Sequence, residues 1–315
     1  MHRSTTAKIP YGCDEFGRLT RVMMHRPGSE LGLITEENCR RWLFDRVPNI
    51  SQFTEEHDRY RELLVSLGIE VFELADYVNE HRDLMAWMPN LTYLHDTAVI
   101  SSQGAILSSM AWEGRRNEEI VVREALTNLG IPIFIEFDNS QEAFEGCLLL
   151  SPDTVLVAET ERHSQRAIDR FIRKILTKCR EVIYVDIPKA RRYMHPDTIY
   201  NRLTLNLAIA YLPAFKNTYR FTRSGVEKID FAGHMRRKGT ELVNVSDSEQ
   251  RRLACSFVPL QPGVIVHYDT ALDKETQTFL GRKGVEIIFL HPEAITAGGG
   301  SLRCFTLRLH RQTLA

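Results

Sequence analysis

The chain has 315 residues and a formal net charge of −1, with 43% hydrophobic and 26% charged residues. This balance offers no basic surface for nucleic acid or a membrane, and no apolar run approaches the roughly 20 residues that a membrane span needs. The composition is that of a globular protein with a substantial core.

The N-terminal segment and the cysteines predict a cytoplasmic protein. Residues 1–10 are polar and lack the apolar core of a signal peptide. The six cysteines, at positions 13, 39, 147, 179, 255 and 304, form no Cys-x-x-Cys pair of the kind used by zinc and redox sites. We therefore expect reduced thiols, with no metal and no cofactor. Homo-oligomer formation stays open.

The predicted elements, taken in chain order, repeat one unit. A strand over 19–25 comes first, and then five helices, each followed by a glycine or turn and a strand. These strands are predicted over 69–74, 131–135, 182–185, 242–245 and 285–289. The fourth helix is the weakest and is predicted from Val226, Ile229 and Met235. The unit recurs about every 50 residues, which indicates modules arranged around an axis or along a solenoid.

Short hairpins are predicted between the helices. Residues 98–101 pair with 105–107, and 147–150 pair with 155–157, each pair across a short polar turn. Each module then contains two strands, a helix and a third strand. No linker interrupts the chain, so five such modules form one domain over 1–315. An ordinary α/β domain with similar helices is the alternative.

Three polar clusters border predicted strands, over 88–97, 144–147 and 194–198. The glycines of 298–300 precede a lone cysteine, Cys304, and an apolar run. Taken alone, this last stretch fits a glycine hairpin followed by a strand with a buried cysteine. In a ring of modules, however, matching strand ends converge on one axial pocket. The clusters and Cys304 would then share that pocket.

The residue types in these clusters point to chemistry on a cationic group. A Cys–His pair, Cys304 with His195, is the equipment of nucleophilic catalysis. Asp96 and Asp197 could clamp a planar guanidinium, which carboxylates match in bidentate geometry. The competing interpretations are strand-end hydrogen bonds for the aspartates and a metal site, although no helical His-x-x-x-His spacing is present. Cys147 is interpreted as a core residue.

These motifs resemble those of the guanidino-modifying enzymes of the pentein fold, most closely arginine deiminase. Residues 88–91 through Asp96 keep the spacing of the Met-Pro-Asn-Leu…Arg-Asp motif. Residues 145–146 match the start of Glu-Gly-Gly-Asp, and 195–198 match His-Leu-Asp-Thr. Residues 298–304 match the closing segment. The resemblance implies an α/β propeller of five ββαβ modules with pseudo-fivefold symmetry around a central pocket.

The resemblance also implies roles for individual residues. Cys304 would be the nucleophile, His195 the general acid and base, and Glu145 the support of the histidine, while Asp96 and Asp197 would hold the guanidinium. The substrate-binding residues implied or expected beside these are Asn90, Arg116, Arg162 and Arg303. Arg116 is the less certain alignment because Arg115 adjoins it. His95 is left outside the catalytic set.

Three features depart from the deiminase pattern. His95 stands where deiminases have arginine, Cys147-Leu148 replaces Gly-Asp, and an inserted helical domain is absent before Met88. The expected activity is hydrolysis of arginine or a close guanidino or ureido relative, through a covalent S-thiouronium intermediate, to ammonia and a citrulline-like product. The alternatives are an amidinotransferase, a dimethylarginine-type hydrolase and a non-catalytic pentein binding protein.

Overall fold

The computed structural model describes residues 9–313. Its helices are α1 Ile50–Ser66, α2 Arg82–Met85, α3 Glu118–Asn128, α4 Gln165–Ile175, α5 Phe231–Arg237, α6 Asp247–Arg251 and α7 Lys274–Arg282. Its strands are β1 Arg18–Met24, β2 Glu70–Glu73, β3 Ala98–Ser101, β4 Gly104–Leu107, β5 Ile133–Ile135, β6 Leu148–Ser151, β7 Thr154–Glu159, β8 Glu181–Asp186, β9 Tyr200–Arg202, β10 Leu207–Ala210, β11 Asn217–Thr222, β12 Gly225–Ile229, β13 Glu241–Asn244, β14 Val258–Gln261, β15 Val264–Tyr268, β16 Glu286–Leu290 and β17 Leu307–Gln312. No helix within 9–313 is long and apolar enough to cross a membrane.

The strands form five small sheets that repeat one arrangement. In each sheet a first strand runs antiparallel to a second, and the second runs parallel to a third. One helix connects the second strand to the third, as parallel strands require. The modules are β17-β1-α1-β2, β3-β4-α3-β5, β6-β7-α4-β8, β9-β10-α5-β13 and β14-β15-α7-β16. The expected α/β pentein with five ββαβ modules is confirmed.

The two ends of the described chain meet in one module. Strand β17 pairs antiparallel with β1, and β1 pairs parallel with β2. The C-terminal strand therefore completes the module that the N-terminal strand begins. The turn that carries Cys304 immediately precedes β17 and is fixed in place by this closure.

Helix ends and helix faces follow the sequence pattern. Gly68, Gly130 and Gly284 have φ of 77°, 76° and 78°, the left-handed values that glycine adopts without strain after a helix. Helix α4 buries its apolar stripe, including Phe171 and Ile172, against the sheet of its module. The two predicted hairpins are present as β3–β4 and β6–β7.

The predicted fourth helix is partly wrong. Val226 and Ile229 lie in β12, which pairs with β11 and extends the edge of β8 into a five-stranded sheet. Helix α5 begins only after Asp230, whose side chain accepts a hydrogen bond from the backbone N–H of Gly233. The mistake has a physical source, because two apolar residues three apart fit a helix as well as a solvated strand. Most of β12 is exposed, so no buried face contradicts either assignment.

Candidate active site

Five loops converge on the axis of the molecule. Each loop precedes the first strand of a module, so the approximate symmetry delivers one polar side chain from each of the five: Asp96 before β3, Glu145 before β6, His195 before β9, Ser256 before β14 and Cys304 before β17. All except Glu145 line one cavity of about 520 Å³, which we call the central pocket. Glu145 lines an adjoining inner cavity of about 220 Å³, and Asp96 and His195 border both.

His195 lies between two carboxylates. Its Nε2 is 2.9 Å from Oε2 of Glu145, and its Nδ1 is 3.4 Å from Oδ1 of Asp96. Burial alone would lower the pKa of His195, but the negative charges of Asp96 and Glu145 outweigh burial and raise it. Burial would likewise raise the pKa of Glu145, but the hydrogen bond with His195 and the charge of Arg162 lower it to about 2. The two carboxylates therefore favour the protonated imidazole, which can donate a proton.

Asp96 and Asp197 each present a buried carboxylate oxygen without a hydrogen-bond donor among the described residues, Oδ1 of Asp96 and Oδ2 of Asp197. Asp96 uses its other oxygen, Oδ2, in a close ion pair with Arg115. Oδ2 of Asp197 has Nε of Arg303 at 2.8 Å and Nε2 of His95 at 3.3 Å, but neither contact has hydrogen-bond geometry. A buried oxygen left in this state costs free energy that a new donor would recover.

The thiol of Cys304 is held by a tight turn. Both the hydroxyl and the backbone N–H of Ser301 lie near Sγ, at 3.4 and 3.5 Å. Burial raises the pKa of this thiol to about 12, and the charges of Asp96 and Asp197 add to the increase, whereas Ser301 opposes it. The cysteine is thus protonated in the free pocket. It lies in the turn before β17, so the hairpin interpretation of this stretch is wrong.

The glycines before Cys304 allow the turn to pack against an aromatic ring. A Cβ atom at Gly298 or at Gly300 would overlap the Tyr93 ring, and Gly299 has a φ of 72°. Tyr93 itself packs on Phe305, with ring centroids 4.8 Å apart. The glycine run is required by close approach at two positions and by backbone conformation at the third.

The predicted substrate-binding residues divide into two groups. Asn90 and Arg162 line the central pocket, as expected. Arg116 is exposed and does not line it, and Arg303 lies on the far side of Asp197 and is also absent from its wall. The arginine that enters the pocket is Arg115, which is buried.

Arg115 is the clearest residue that sequence reasoning missed. Its guanidinium contacts Asp96, both oxygens of Glu118 and the carbonyl oxygen of Tyr93. The available signal was the oppositely charged Glu118 three residues later, where the start of α3 brings the two together. Ser301 was missed as well, although its place three residues before Cys304 suits a turn.

Two leucines of the pocket wall have strained backbones. Leu43 and Leu253 have φ of 59° and 69°, in the region that favours glycine. The carbonyl oxygen of Leu43 accepts a close hydrogen bond from Arg191. Non-glycine residues keep such conformations when their surroundings impose them, which is common at functional sites.

His95 and Cys147 are two of the residues at which the sequence departs from the deiminase motifs, and the structure shows their contacts. Nδ1 of His95 accepts a hydrogen bond from Arg308 at 3.3 Å, so Nε2 carries the proton toward Asp197. Burial lowers the pKa of His95 to about 4, and the charge of Arg308 adds to the decrease. Cys147 is buried in the core, as expected, and burial raises the pKa of its thiol. No group of three or more metal-ligating side chains is assembled within 9–313.

Comparisons of the sequence and of the structure with known proteins find similar proteins. The arginine deiminase of Mycoplasma capricolum is 24% identical over 394 aligned positions, which cover 95% of this chain and 96% of that protein. The N-terminal domain of ArgZ, an arginine dihydrolase from cyanobacteria, superposes with a TM-score of 0.70 at 15% identity, covering 91% of this chain and 96% of that one. AgrE, in complex with ornithine and NAD+, superposes with a TM-score of 0.71 at 15% identity, and the match spans 40% of its length.

This chain is also shorter than the Mycoplasma enzyme. The alignment with the Mycoplasma enzyme extends over 394 positions, more than the 315 residues of this chain, so the relative contains segments that this chain lacks. Between β2 and β3 only α2 and short 3₁₀ turns are present, in agreement with the predicted absence of an inserted domain. The family model for arginine deiminase matches residues 79–311. This chain therefore belongs to the arginine deiminase family.

Proposed function

We propose that this protein is a cysteine-dependent hydrolase that releases ammonia from the guanidino group of arginine or a close derivative and leaves a ureido product. The observation that carries the proposal is that Asp96 and Asp197 both line the pocket that contains Cys304, and each keeps a buried carboxylate oxygen without a hydrogen-bond donor among the described residues. A guanidinium supplies planar N–H donors for two carboxylates at once. Its carbon is then the electrophile presented to the thiol.

Three other residues of the pocket wall suit the carboxylate of an amino-acid substrate. Nη1 of Arg162 is buried without a hydrogen-bond acceptor among the described residues and lies 3.8 Å from Glu145. Arg115 and Asn90 line the same pocket. Two guanidinium groups and an amide can bind a carboxylate through charge-assisted hydrogen bonds. We infer that the preferred substrate has both a guanidinium and a carboxylate, as arginine has.

Substrate binding activates the nucleophile. In the free pocket the charges of Asp96 and Asp197 help to raise the pKa of the Cys304 thiol. A bound guanidinium neutralises these charges and adds a positive charge beside Sγ, so the thiol pKa falls and its proton leaves for solvent. The contacts from Ser301 stabilise the thiolate that remains.

The first half-reaction forms a covalent intermediate. The thiolate attacks the guanidinium carbon and gives a neutral tetrahedral adduct. Protonated His195 transfers its proton to one amino group, the C–N bond breaks, and ammonia departs. An S-thiouronium cation on Cys304 remains, and the carboxylates of Asp96 and Asp197 are still matched by its positive charge.

The second half-reaction uses the same histidine as a base. Neutral His195 takes a proton from water as the oxygen adds to the thiouronium carbon. The tetrahedral adduct expels the thiolate, and the ureido product forms with release of a proton, which ammonia can accept. Glu145 keeps the imidazole oriented through both steps by its 2.9 Å contact. General acid–base catalysis of this kind contributes about 10²–10⁴-fold in rate.

The test is incubation of the purified chain with arginine, methylarginines and agmatine, with measurement of ammonia and ureido products. We expect arginine to be preferred, Cys304→Ala to abolish turnover, and the buried-thiol control Cys147→Ala to retain it. Mass spectrometry of the intact protein is expected to find a trapped adduct on Cys304. No product from any guanidine, or an adduct on Cys147, would refute the proposal.

An added amine distinguishes hydrolysis from amidino transfer. With glycine or lysine present, water should remain the acceptor, and ammonia release should keep pace with loss of arginine. A new guanidino compound in place of the ureido product would show an amidinotransferase.

A further inference from the structure

A second cavity, outside the central pocket, has an empty volume of about 620 Å³, part of which is open to solvent. We call it the arginine cavity, because four arginines contribute to its wall: Arg202, Arg303, Arg308 and Arg311. It shares no lining residue with the central pocket. The inner cavity lies between the two, since it shares Asp197 with the central pocket, and Cys147 and Leu148 with the arginine cavity.

The positive charges around this cavity are only partly balanced by negative charges. Arg303 has an ion pair with Asp197, but Arg202, Arg308 and Arg311 have no carboxylate within ion-pair distance among residues 9–313. Glu15 is the one acidic residue in the wall, and it is exposed. Several guanidinium groups around one enclosed space, with little compensating negative charge, form an anion-binding arrangement.

The donors of Arg202 and Arg311 are partly used by backbone carbonyl groups. Arg311 donates to the carbonyl oxygens of Gly17 and Pro259 at 2.8 and 2.6 Å. Arg202 donates to that of Leu150 at 2.5 Å, and both guanidinium groups face the ring of Phe16. These contacts fix the side chains in place and do not neutralise them. The wall of the cavity is therefore built in advance of any ligand.

Arg308 supplies the free donor. Its Nη1 is buried and has no acceptor among the described residues, and its Nη2 reaches only Nδ1 of His95 at 3.3 Å. Burial and the charges of Arg303 and Arg311 lower the pKa of Arg308. An unpaired N–H of a buried cation is costly, and an anionic acceptor removes that cost.

We propose that the arginine cavity binds a small oxyanion, whose oxygens accept from Arg308 and Arg303 while Arg202 and Arg311 supply further positive charge. The space accessible to the centre of a water molecule is about 60 Å³, several times what one water requires. This size suits a phosphate or a small carboxylate. Guanidinium groups bind both through pairs of parallel hydrogen bonds.

The anion site is connected to the central pocket by two contacts. Arg303 reaches Asp197 directly at 2.8 Å, and Arg308 reaches it through His95, with 3.3 Å on each side of the imidazole. An anion in the arginine cavity offsets the positive charge that now faces Asp197. Asp197 then attracts a cationic substrate more strongly. This part of the inference rests on the proposed function, and it predicts that the bound anion lowers KM for arginine.

The binding test needs no catalytic activity. The full chain is titrated with inorganic phosphate and, separately, with acetate at constant ionic strength, and binding is followed by calorimetry and by the shift in Tm. We expect saturable binding of at least one anion and a Tm that rises with its concentration. Phosphate binding identifies an inorganic source, and acetate binding alone identifies a carboxylate. Binding of neither refutes the proposal.

Variants locate the site. Arg308→Met should weaken anion binding by about tenfold or more, and Arg202→Met provides a second variant if Arg308→Met does not fold. The exposed control Arg223→Met should bind as the wild type does. If Arg162→Met abolishes binding and Arg308→Met does not, the anion occupies the central pocket and the proposal is wrong. If the anion binds at Arg308 but leaves KM unchanged, the coupling to Asp197 is refuted and the site remains.

Discussion

The chemistry of the site depends on how a few charges are divided among neighbouring side chains. One oxygen of Asp96 pairs with Arg115, and the other has no hydrogen-bond donor among the described residues. The charge of Asp197 is matched by Arg303 across a contact without hydrogen-bond geometry. Each carboxylate therefore keeps an oxygen that can still accept a hydrogen bond. His195 contacts both Asp96 and Glu145, and their charges raise its pKa. Replacing Glu145 by its amide therefore alters the electrostatic environment of His195, and it also removes the negative charge beside Arg162.

Glu145→Gln should change the pH dependence of turnover. Glu145 helps to raise the pKa of His195, so the neutral amide should let that pKa fall. The first step needs protonated His195, and activity is therefore lost as pH rises through this pKa. We expect the alkaline limb of the kcat/KM profile to move to lower pH, with a rate loss of about 10²-fold. An alkaline limb that stays in place would show that His195 is not the acid.

Glu181→Gln is a control of the same residue type, because Glu181 is a buried carboxylate in ion pairs with Lys238 and Arg220, outside the central pocket. It should affect stability and leave the pH profile unchanged.

Arg115 and Arg116 offer a matched pair of neighbouring residues with opposite exposure. Arg115→Ala should raise KM for arginine by about 10- to 100-fold, because the proposed partner of the substrate carboxylate and the ion-pair partner of Asp96 are both lost. Agmatine, which lacks the carboxylate, should be affected less. Arg116→Ala should leave both KM values unchanged within twofold, since this side chain is exposed. Steady-state kinetics with the two substrates measure the difference, and equal effects of both variants would contradict the assignment.

The sequence predicted the positions of the proposed reacting residues better than those of the proposed substrate-binding residues. Cys304, His195, Glu145, Asp96 and Asp197 each precede the first strand of a module or follow directly in the same turn, so module symmetry and motif order were enough to bring them together. The choice between Arg115 and Arg116 depended on the rotation of a short 3₁₀ turn, Glu113–Arg115, which no periodicity specifies. Arg303 adjoins the nucleophile in sequence, but successive side chains of a turn point to different sides.

At the scale of single elements, the glycine run determines where the nucleophile stands. The turn lies close enough to the Tyr93 ring that neither Gly298 nor Gly300 has room for a Cβ atom. The same ring packs on Phe305, the residue after Cys304. The position of Sγ is thus set by one aromatic ring that contacts the chain on both sides of the cysteine.

Gly300→Ala should therefore reduce activity by displacing this turn. The added methyl group would overlap Tyr93, and a shift of the nucleophile of about 1 Å can cost roughly 10²-fold in rate. The control is Gly281→Ala in α7, where no atom lies within 4 Å and helix propensity should make the variant slightly more stable. Rates of ammonia release and Tm values test both. Full activity of Gly300→Ala would show that the turn adapts freely.

The element that sequence reasoning misplaced is the hairpin of β11 and β12. A repeating unit with one helix per module leaves no place for an extra pair of strands. The sequence interpretation therefore assigns Val226 and Ile229 of β12 to the fourth helix. Strand β12 has no buried face that would have indicated period-two alternation. An insertion at the edge of a sheet is tolerated because it contacts few other elements, and for the same reason it leaves little trace in the apolar pattern.

At the scale of the whole molecule, the pairing of β17 with β1 supports a single domain. A domain boundary falls where few contacts cross, but this pairing joins the two ends of the described chain in one sheet. We propose that the described residues, 9–313, form one domain around the pocket. Cys304 depends on this closure, because its turn leads directly into β17.

The same compact core buries four histidines whose pKa values fall to about 4, mainly because burial disfavours the charged ring. They are His57, His95, His163 and His267. In the unfolded chain these rings titrate near pH 6.5. Between about pH 6.5 and 4 the unfolded state therefore binds more protons than the folded state. The free energy of unfolding should fall by up to ~1.4 kcal/mol per pH unit for each histidine as the pH is lowered through this range.

Urea denaturation at pH 7.5, 6.5 and 5.5 measures this loss of stability. The variant His57→Phe isolates one contribution, because both ring nitrogens of His57 lack hydrogen-bond partners among the described residues and the ring packs against Phe305. We expect this variant to lose less stability on acidification. The slope of its free energy of unfolding against pH should be smaller by about the contribution of one histidine. His291→Gln, at an exposed position beside Asp269, should not flatten the slope. A slope of the His57→Phe variant equal to that of the wild type would show that His57 does not contribute to the loss of stability.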